Sequence, residues 1–422
     1  MTAQTCTEKI LSRAMGRPVE VGEIIHPEPD LVTVHDWYVV NFDQALQDFG
    51  VEALHAPDKV LISTDHEPLA VSAAAAERQK RVREIVAKYG ITNFFDAGRG
   101  GHGHVFPMEL GYIRPGMFVL AYDIHVTNFG AVGCLGIPLV TEISEVLACG
   151  TVWLRVPETI RVNLSGALQP GVSMRDIAQR LIVDLGADLA DYTVIEYGGP
   201  ALADIDFGGR MVLCNTPIEI GAKSALVESD DETRRFLESR VKGEVPEIRS
   251  DAGATFKAVL DYDLGALGPQ VAAPPTPDNV VNIEEVAGKP VHYAFIGSCA
   301  AASLTDLQDA ARILKGRQVA PGVRLIVTPG TQEMARQAAA QGLTEIFMNA
   351  GAMITAPGCG PCAGGRIGPM APGEVSINTG TRNDSGRLGP RDSEIYLASP
   401  LTVAASAVAG QITDPREMLS KR

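Results

Sequence analysis

The sequence predicts an α/β protein of about three domains, in which parallel or mixed sheets are flanked by helices. Three observations carry that expectation. At roughly 150 residues per domain, 422 residues correspond to about three domains. In the last third of the chain, strand-like runs alternate with helix-length runs, which is the pattern of parallel βαβ units. Glycine (43) and proline (27) are plentiful while aromatics make up only 5%, a composition suited to many tight loops.

The elements follow in order. Val60–Thr64 reads as a strand and runs into Asp65-His66. Met117–Ala121 reads as a second strand and leads to Asp123-Ile124-His125. A helical stretch ending near Trp153 gives way, around Val156-Pro157-Glu158-Thr159, to a strand-like run over Thr159–Leu164, so a boundary is placed at 158. Gly268–Pro277 holds four prolines, which remove amide donors and stiffen the chain; it reads as a linker. The expected domains are therefore 1–158, 159–277 and 278–422. In the last of them Val291–Ile296 predicts a strand. Leu304–Leu314 predicts a helix, with Ser303 as its cap and Asp306 three residues on. Val323–Thr328 predicts another strand, and Thr331–Gln341 another helix, ended by Gly342. Sites in such sheets lie at the carboxyl ends of strands, where Gly297-Ser298-Cys299 falls.

Composition excludes several classes. The net charge of −15 argues against a nucleic-acid binder, which needs a cationic surface to displace counterions. No run of 18 apolar residues suggests a membrane span. The first residues carry Glu8, Lys9 and Arg13 with no apolar core, so no secretory signal is expected. Seven cysteines, an odd number, fit a reducing cytoplasm better than a disulfide framework.

Cysteine placement is informative. Cys6, Cys134, Cys149 and Cys214 are scattered and read as core residues. Cys299 follows a strand and precedes a helix, where exposed amides and the helix dipole favour a thiolate. Cys359 and Cys362 form a Cys-x-x-Cys among glycines that allow close backbone approach to a bulky inorganic group. Three thiolates would leave one iron of a cubane cluster open to substrate, as a Lewis acid. A redox pair, a zinc loop or buried thiols are the alternatives that spacing alone leaves open.

Asp65-His66, His104 and Asp123-x-His125 place histidines beside carboxylates at strand ends, which suits proton transfer. The plainer alternative is that each Asp caps a helix and each His satisfies a core amide. Gly98-x-Gly100-x-x-Gly103 imitates a dinucleotide fingerprint, but Pro107, Gly111 and Pro115 leave no room for the long helix it must open. Arg382 and Arg387 sit five apart in a polar loop after the Cys-x-x-Cys, and Arg suits bidentate carboxylate recognition.

Taken in order, these residues resemble the aconitase superfamily, and within it the isopropylmalate dehydratase branch. The resemblance rests on Asp65-His66, Gly103-His104 with Glu109, Asp123-x-His125 with Gly130-Ala-Val-Gly133, and Val156-Pro-Glu-Thr159. It continues through Ile195-Glu196-Tyr197-Gly198, Cys214-Asn215 with Glu219-Ile-Gly-Ala222, and Gly297-Ser-Cys299. It closes with Ala350-Gly351, Gly358-Cys359-Gly-Pro-Cys362, and Arg382-Asn383 with Gly386-Arg387. The resemblance implies one [4Fe-4S] cluster per large subunit on Cys299, Cys359 and Cys362. It implies acid/base or positioning roles for His66, His104 and His125 with Asp65 and Asp123. Glu196 would contact the iron-bound water, and Arg382 and Arg387 would hold substrate carboxylates. The serine base of the family lies in a swivelling fourth domain; none is expected here, so a separate small subunit would supply it.

Departures bear on the substrate. Ile124 and Val126 replace a usual Ser and Thr, Ala300-Ala301-Ala302 replaces Thr-Asn-Ser, and Thr381 replaces Asn. An apolar lining, with Ile124 as a substrate contact, suits an alkyl substituent better than a third carboxylate. The expected activity is a hydro-lyase on a 2- or 3-hydroxy diacid of the 3-isopropylmalate kind. Dimethylmalate, citramalate or maleate, and homoaconitate are the alternatives within that chemistry. A cluster-binding regulatory protein that binds RNA is the rival from another class, and the negative charge opposes it.

Overall fold

The computed structural model describes residues 3–419. They divide into two compact units. The first comprises 1–165, 187–207 and 221–262; the second comprises 166–186, 208–220 and 263–422. No helix among the described residues is long and apolar enough to cross a membrane.

The first unit carries a five-stranded, all-parallel sheet in the order Asn93–Phe95, Val60–Ser63, Leu31–His35, Phe118–Tyr122, Leu135–Leu139. The three inner strands are short apolar runs buried on both faces, as helix-covered parallel strands must be. Helices Asp36–Asp48 and Ala73–Lys88 pack together through Phe42, Val82 and Ile85 over Val32, Val34 and Leu120. A second, four-stranded sheet runs Ser224–Val227, Thr193–Gly198, Glu158–Ser165, Ala258–Asp263, its first three strands parallel. Gly130 lets the two layers of this unit touch: a Cβ there would lie 1.9 Å from the Ala225 carbonyl oxygen.

The second unit is built on one seven-stranded sheet. Its order is Val280–Asn282, Gln270–Ala272, Glu394–Ala398, Val375–Asn378, Tyr293–Ile296, Arg324–Val327, Met353–Ile354. The last five are parallel and the first two antiparallel. Leu304–Leu314 is a helix opened by the expected Ser303–Asp306 capping box. It packs with Pro400–Ala409 on the Ala294 and Ile296 side of the sheet.

Local differences from expectation have simple causes. The stretch before Trp153 is helical only over Ile143–Cys149, because Gly150 turns left-handed at φ 83 and ends it. Gly342 does not just end a helix; at φ 75 it also caps the next one, Leu343–Asn349. The proline-rich segment is not an exposed spacer. Gln270–Ala272 within it is a fully buried strand paired on both sides, because its three non-proline residues keep their amides between the prolines.

Candidate functional site

In the first unit, the Asp/His residues singled out from sequence gather at the carboxyl ends of adjacent parallel strands, joined by His35 and His102, which the sequence did not single out. His35 closes Leu31–His35, Asp65-His66 follow Val60–Ser63, His102 and His104 lie in the loop after Asn93–Phe95, and Asp123–His125 follow Phe118–Tyr122. Asp123 is the hub. Its Oδ1 lies 3.3 Å from His125 Nδ1 and 3.5 Å from His104 Nε2; its Oδ2 lies 3.6 Å from His66 Nε2 and 3.9 Å from His35 Nε2. His66 Nδ1 is 2.9 Å from Asp65 Oδ1, which fixes that ring and leaves Nε2 toward Asp123. The His35 ring stacks on His66 at 3.9 Å.

Gly103 is what lets the His104 loop reach this group. Its amide donates to Asp65 Oδ2 at 2.7 Å, and a Cβ there would lie 2.4 Å from Ser63 Oγ. Only the four-residue helix Phe106–Glu109 follows, as expected for a loop that is no dinucleotide fingerprint.

The electrostatics fit an acid/base centre. Burial pushes the Asp123 carboxyl up, but hydrogen bonds from His104, His125 and His66 outweigh it and hold the group well below the usual carboxylate range. Asp65 is also held down: burial opposes, and the His66 charge and hydrogen bond prevail. Burial raises Asp36, beside His66, to about 6. Burial, reinforced by the His66 charge, lowers His35 to about 3. His104 Nδ1 is buried without a hydrogen-bond partner, an orphaned donor-acceptor site that a ligand can satisfy.

The two depressed aspartates make a stability prediction. A carboxyl whose folded value is depressed contributes stability that is present above its unfolded value, near 4, and is lost as pH falls through the folded value. Asp123→Asn removes that contribution. The gap in urea midpoint between wild type and variant is expected to be larger at pH 7 than at pH 3. An equal gap at both would contradict the depressed carboxyl.

In the second unit Cys299, Cys359 and Cys362 lie in loops that follow strands of the large sheet. All three are buried and in no disulfide. Cys299 follows Tyr293–Ile296 through Gly297 and Ser298. Ser298 is left-handed (φ 73) and is held there by a 2.8 Å hydrogen bond from its hydroxyl to the Thr379 carbonyl. Cys359 and Cys362 flank a short 3-10 turn whose Gly360 (φ 59) seats on Thr328, leaving no room for a side chain. Asn215 Nδ2 donates to Cys299 Sγ at 3.2 Å, and Thr381 Oγ1 lies 3.9 Å from Cys362 Sγ.

Arg387 is largely buried. Burial lowers its guanidinium, but the Cys362 thiolate outweighs this and raises it. Arg382 is half exposed, with Nε 3.4 Å from Asp384 and 3.6 Å from Glu219. Ile124 is partly exposed in the first unit, in the same turn as His125.

Glu196 joins neither group. Its Oε1 accepts from Arg161 at 3.0 Å and Ser250 at 2.5 Å, and its Oε2 accepts from the Cys6 amide at 3.2 Å. These three bonds hold the first helix to the second sheet. The carboxylate found with the cysteine loops is Glu219, which lines one small cavity with Arg175, Asn215 and Thr381.

Sequence reasoning gave no role to Glu219, Asn215, Arg175, His35 or Asp36. His35-Asp36 carries the same strand-end His/Asp signal as the pairs it did select. Asn215 and Glu219 stood inside a quoted motif.

Comparison with known proteins settles the family. The chain matches the Aconitase family (aconitate hydratase) over residues 8–290 and 284–410. It belongs to the aconitase family. It is 42% identical over 417 residues to the 3-isopropylmalate dehydratase large subunit 1 of Methanopyrus kandleri, covering 99% of this chain and 100% of that one. It is 40% identical over 420 residues to the 3-isopropylmalate dehydratase large subunit of Herpetosiphon aurantiacus, covering 99% and 97%. It is 38% identical over 421 residues to the methanogen homoaconitase large subunit of Methanocaldococcus jannaschii, covering 97% and 99%.

Membership of the aconitase family implies an iron–sulfur cluster. The residues present fit one. Cys299, Cys359 and Cys362 are buried and in no disulfide, glycines open the backbone around them, and Asn215 and Thr381 point polar atoms at the sulfurs of Cys299 and Cys362.

Proposed function

We propose that the chain is the large subunit of an iron–sulfur hydro-lyase that dehydrates and rehydrates an alkyl-substituted malate of the 3-isopropylmalate kind. The observation that carries this reading is the full-length match to relatives named 3-isopropylmalate dehydratase large subunits. Cys299, Cys359 and Cys362 hold a [4Fe-4S] cluster, one per chain, which when bound supplies a Lewis-acidic iron for the substrate hydroxyl.

The chain's own residues do the rest. His104 and His66, both on Asp123, hold and move the proton that the leaving hydroxyl needs; Asp65 orients His66. Asp123 orients these imidazoles by lying within 4 Å of each. Arg382 and Arg387 bind substrate carboxylates. Arg387 is the more rigid of the two, because it is packed against Cys362. Glu219 is a carboxylate beside the cysteine loops. Ile124 and the alanines after Cys299 favour an alkyl group over a third carboxylate.

Each principal sheet is drawn from one stretch of chain, 31–139, 158–263 and 270–398. This supports a division into three domains, with the first boundary near 158 and the second moved to just before Gln270. A small subunit completes the enzyme, and cytoplasm is its place of action.

A substrate panel tests the proposal. The anaerobically reconstituted chain, together with a small subunit from a related enzyme, is offered 3-isopropylmalate, dimethylmalate, citramalate, homocitrate and citrate. The alkylmalates are expected to be preferred over the tricarboxylates by about tenfold or more. Preference for a tricarboxylate would overturn the substrate class and favour the homoaconitase reading, which the Methanocaldococcus relative's name keeps in view. The chain without any small subunit is expected to load iron yet show almost no turnover. Full turnover from the chain alone, with no second polypeptide detected by mass spectrometry, would contradict the partner.

A further inference from the structure

We propose that Arg175 sets the charge around the metal centre: sealed among the loops that carry Cys299 and Cys362, its guanidinium favours the reduced state of that centre. The inference rests on the cluster reading above and adds a residue to which neither the sequence motifs nor the family match gives a role.

Arg175 opens the helix Met174–Leu185 and is only 3% exposed. Its Nη2 donates to the Gly380 carbonyl at 2.5 Å. Its Nε and Nη1 are buried with no hydrogen-bond partner, so no carboxylate holds them. That arrangement is costly, because an uncompensated buried cation loses its hydration for nothing. Proteins keep such a charge where negative charge is close.

The surroundings show where that negative charge lies. Arg175 lines a small cavity with Asn215, Glu219 and Thr381. Asn215 donates to Cys299 Sγ, and Thr381 touches Cys362 Sγ. Gly380, whose carbonyl Arg175 grips, packs so near Cys362 that a Cβ there would be 3.5 Å from the sulfur. The guanidinium therefore stands one group away from each of two thiols. Burial lowers the Arg175 guanidinium, and the charges that oppose burial are, in order, those of Cys299, Cys362, Glu219 and Asp306.

A cubane held by three thiolates is net negative in both of its common oxidation states. Adding one electron to it adds one negative charge, and a fixed buried cation attracts the reduced form more strongly. Arg382 cannot do this, because at 44% side-chain exposure it is screened by water. Arg175 differs from Arg382 in a second way. It is sealed, so it acts through the centre and does not touch substrate; it is a positioning residue.

Wild type, Arg175→Lys and Arg175→Met full-length chains are reconstituted anaerobically. Iron and sulfide are counted, folding is checked by circular dichroism, and the reduced fraction is read by electron paramagnetic resonance at ambient potentials fixed with mediators. At the potential that half-reduces wild type, the reduced-to-oxidised ratio is expected to fall about tenfold in Arg175→Met and to stay within about twofold in Arg175→Lys. A folded Met variant that loads no iron, beside a Lys variant loaded and poised like wild type, also supports the role of the charge. Arg175→Met loaded with the wild-type ratio overturns the inference alone. So does a Lys variant shifted as far as the Met variant. Wild type that takes up no iron overturns the cluster reading and this inference with it.

Discussion

Cys359→Ser is expected to abolish turnover and to leave the anaerobically reconstituted protein without its brown chromophore. A serine hydroxyl stays neutral near pH 7 and is a hard donor, whereas iron–sulfur clusters are held by soft thiolates. Cys359 caps and Cys362 ends one tight turn built on Gly360, which holds each sulfur in its own place. The same loss is expected for Cys299→Ser and Cys362→Ser. Cys6→Ser is the contrast. Burial raises the Cys6 thiol well above its ordinary value, and Glu196 and Glu228 push the same way, so it stays protonated. Arg161, lying between those two carboxylates, also opposes a cation there. Iron content and activity of Cys6→Ser should match wild type. Full iron occupancy in Cys359→Ser would remove that residue from the ligand set.

Asp123→Asn is expected to lower kcat by a factor on the order of 10²–10⁴, the range for losing a positioned acid/base function. The amide keeps the shape but removes the charge on which His66, His104 and His125 converge within 3.6 Å. His104→Gln should fall in the same range, because His104 Nε2 faces Asp123 while its Nδ1 is buried with no partner. KM should change much less than kcat in both. Steady-state kinetics of the loaded enzyme with its small subunit checks this. A drop confined to KM, or none, would make the histidine group structural.

Most of the architecture was legible because it rests on local pattern. The strand runs at Val60, Phe118 and Tyr293 are short and apolar, and each is followed by a polar loop that carries chemistry. The Ser303–Asp306 box marked its helix start correctly. The Gly268–Pro277 segment misled because proline density signals a spacer only when the residues between are exposed, and burial of Val271 depends on distant partners at Val281 and Ala398. At the site, strand-end Asp/His pairs were visible because adjacency in sequence places them together at a sheet edge. That four imidazoles share one carboxylate was not visible, since it depends on the order of strands in the sheet, with Leu31–His35 between Val60–Ser63 and Phe118–Tyr122. The hydrogen-bond partners of Glu196 were not visible, because Arg161, Ser250 and Cys6 come from three separate segments. Arg175 carries no sequence signal, because a lone Arg near a helix start reads as a solvated cap.

The most direct test of the central claim is iron dependence of turnover on 3-isopropylmalate. The chain and a small subunit are reconstituted without oxygen, and formation of the unsaturated diacid is followed by its absorbance before chelation, after chelation, and after ferrous iron is restored. Activity that disappears with the chelator and returns with iron, in step with the brown colour, is the predicted result. Turnover that survives complete removal of iron, or its absence while the cluster and both subunits are intact, would contradict an iron–sulfur hydro-lyase acting on this substrate.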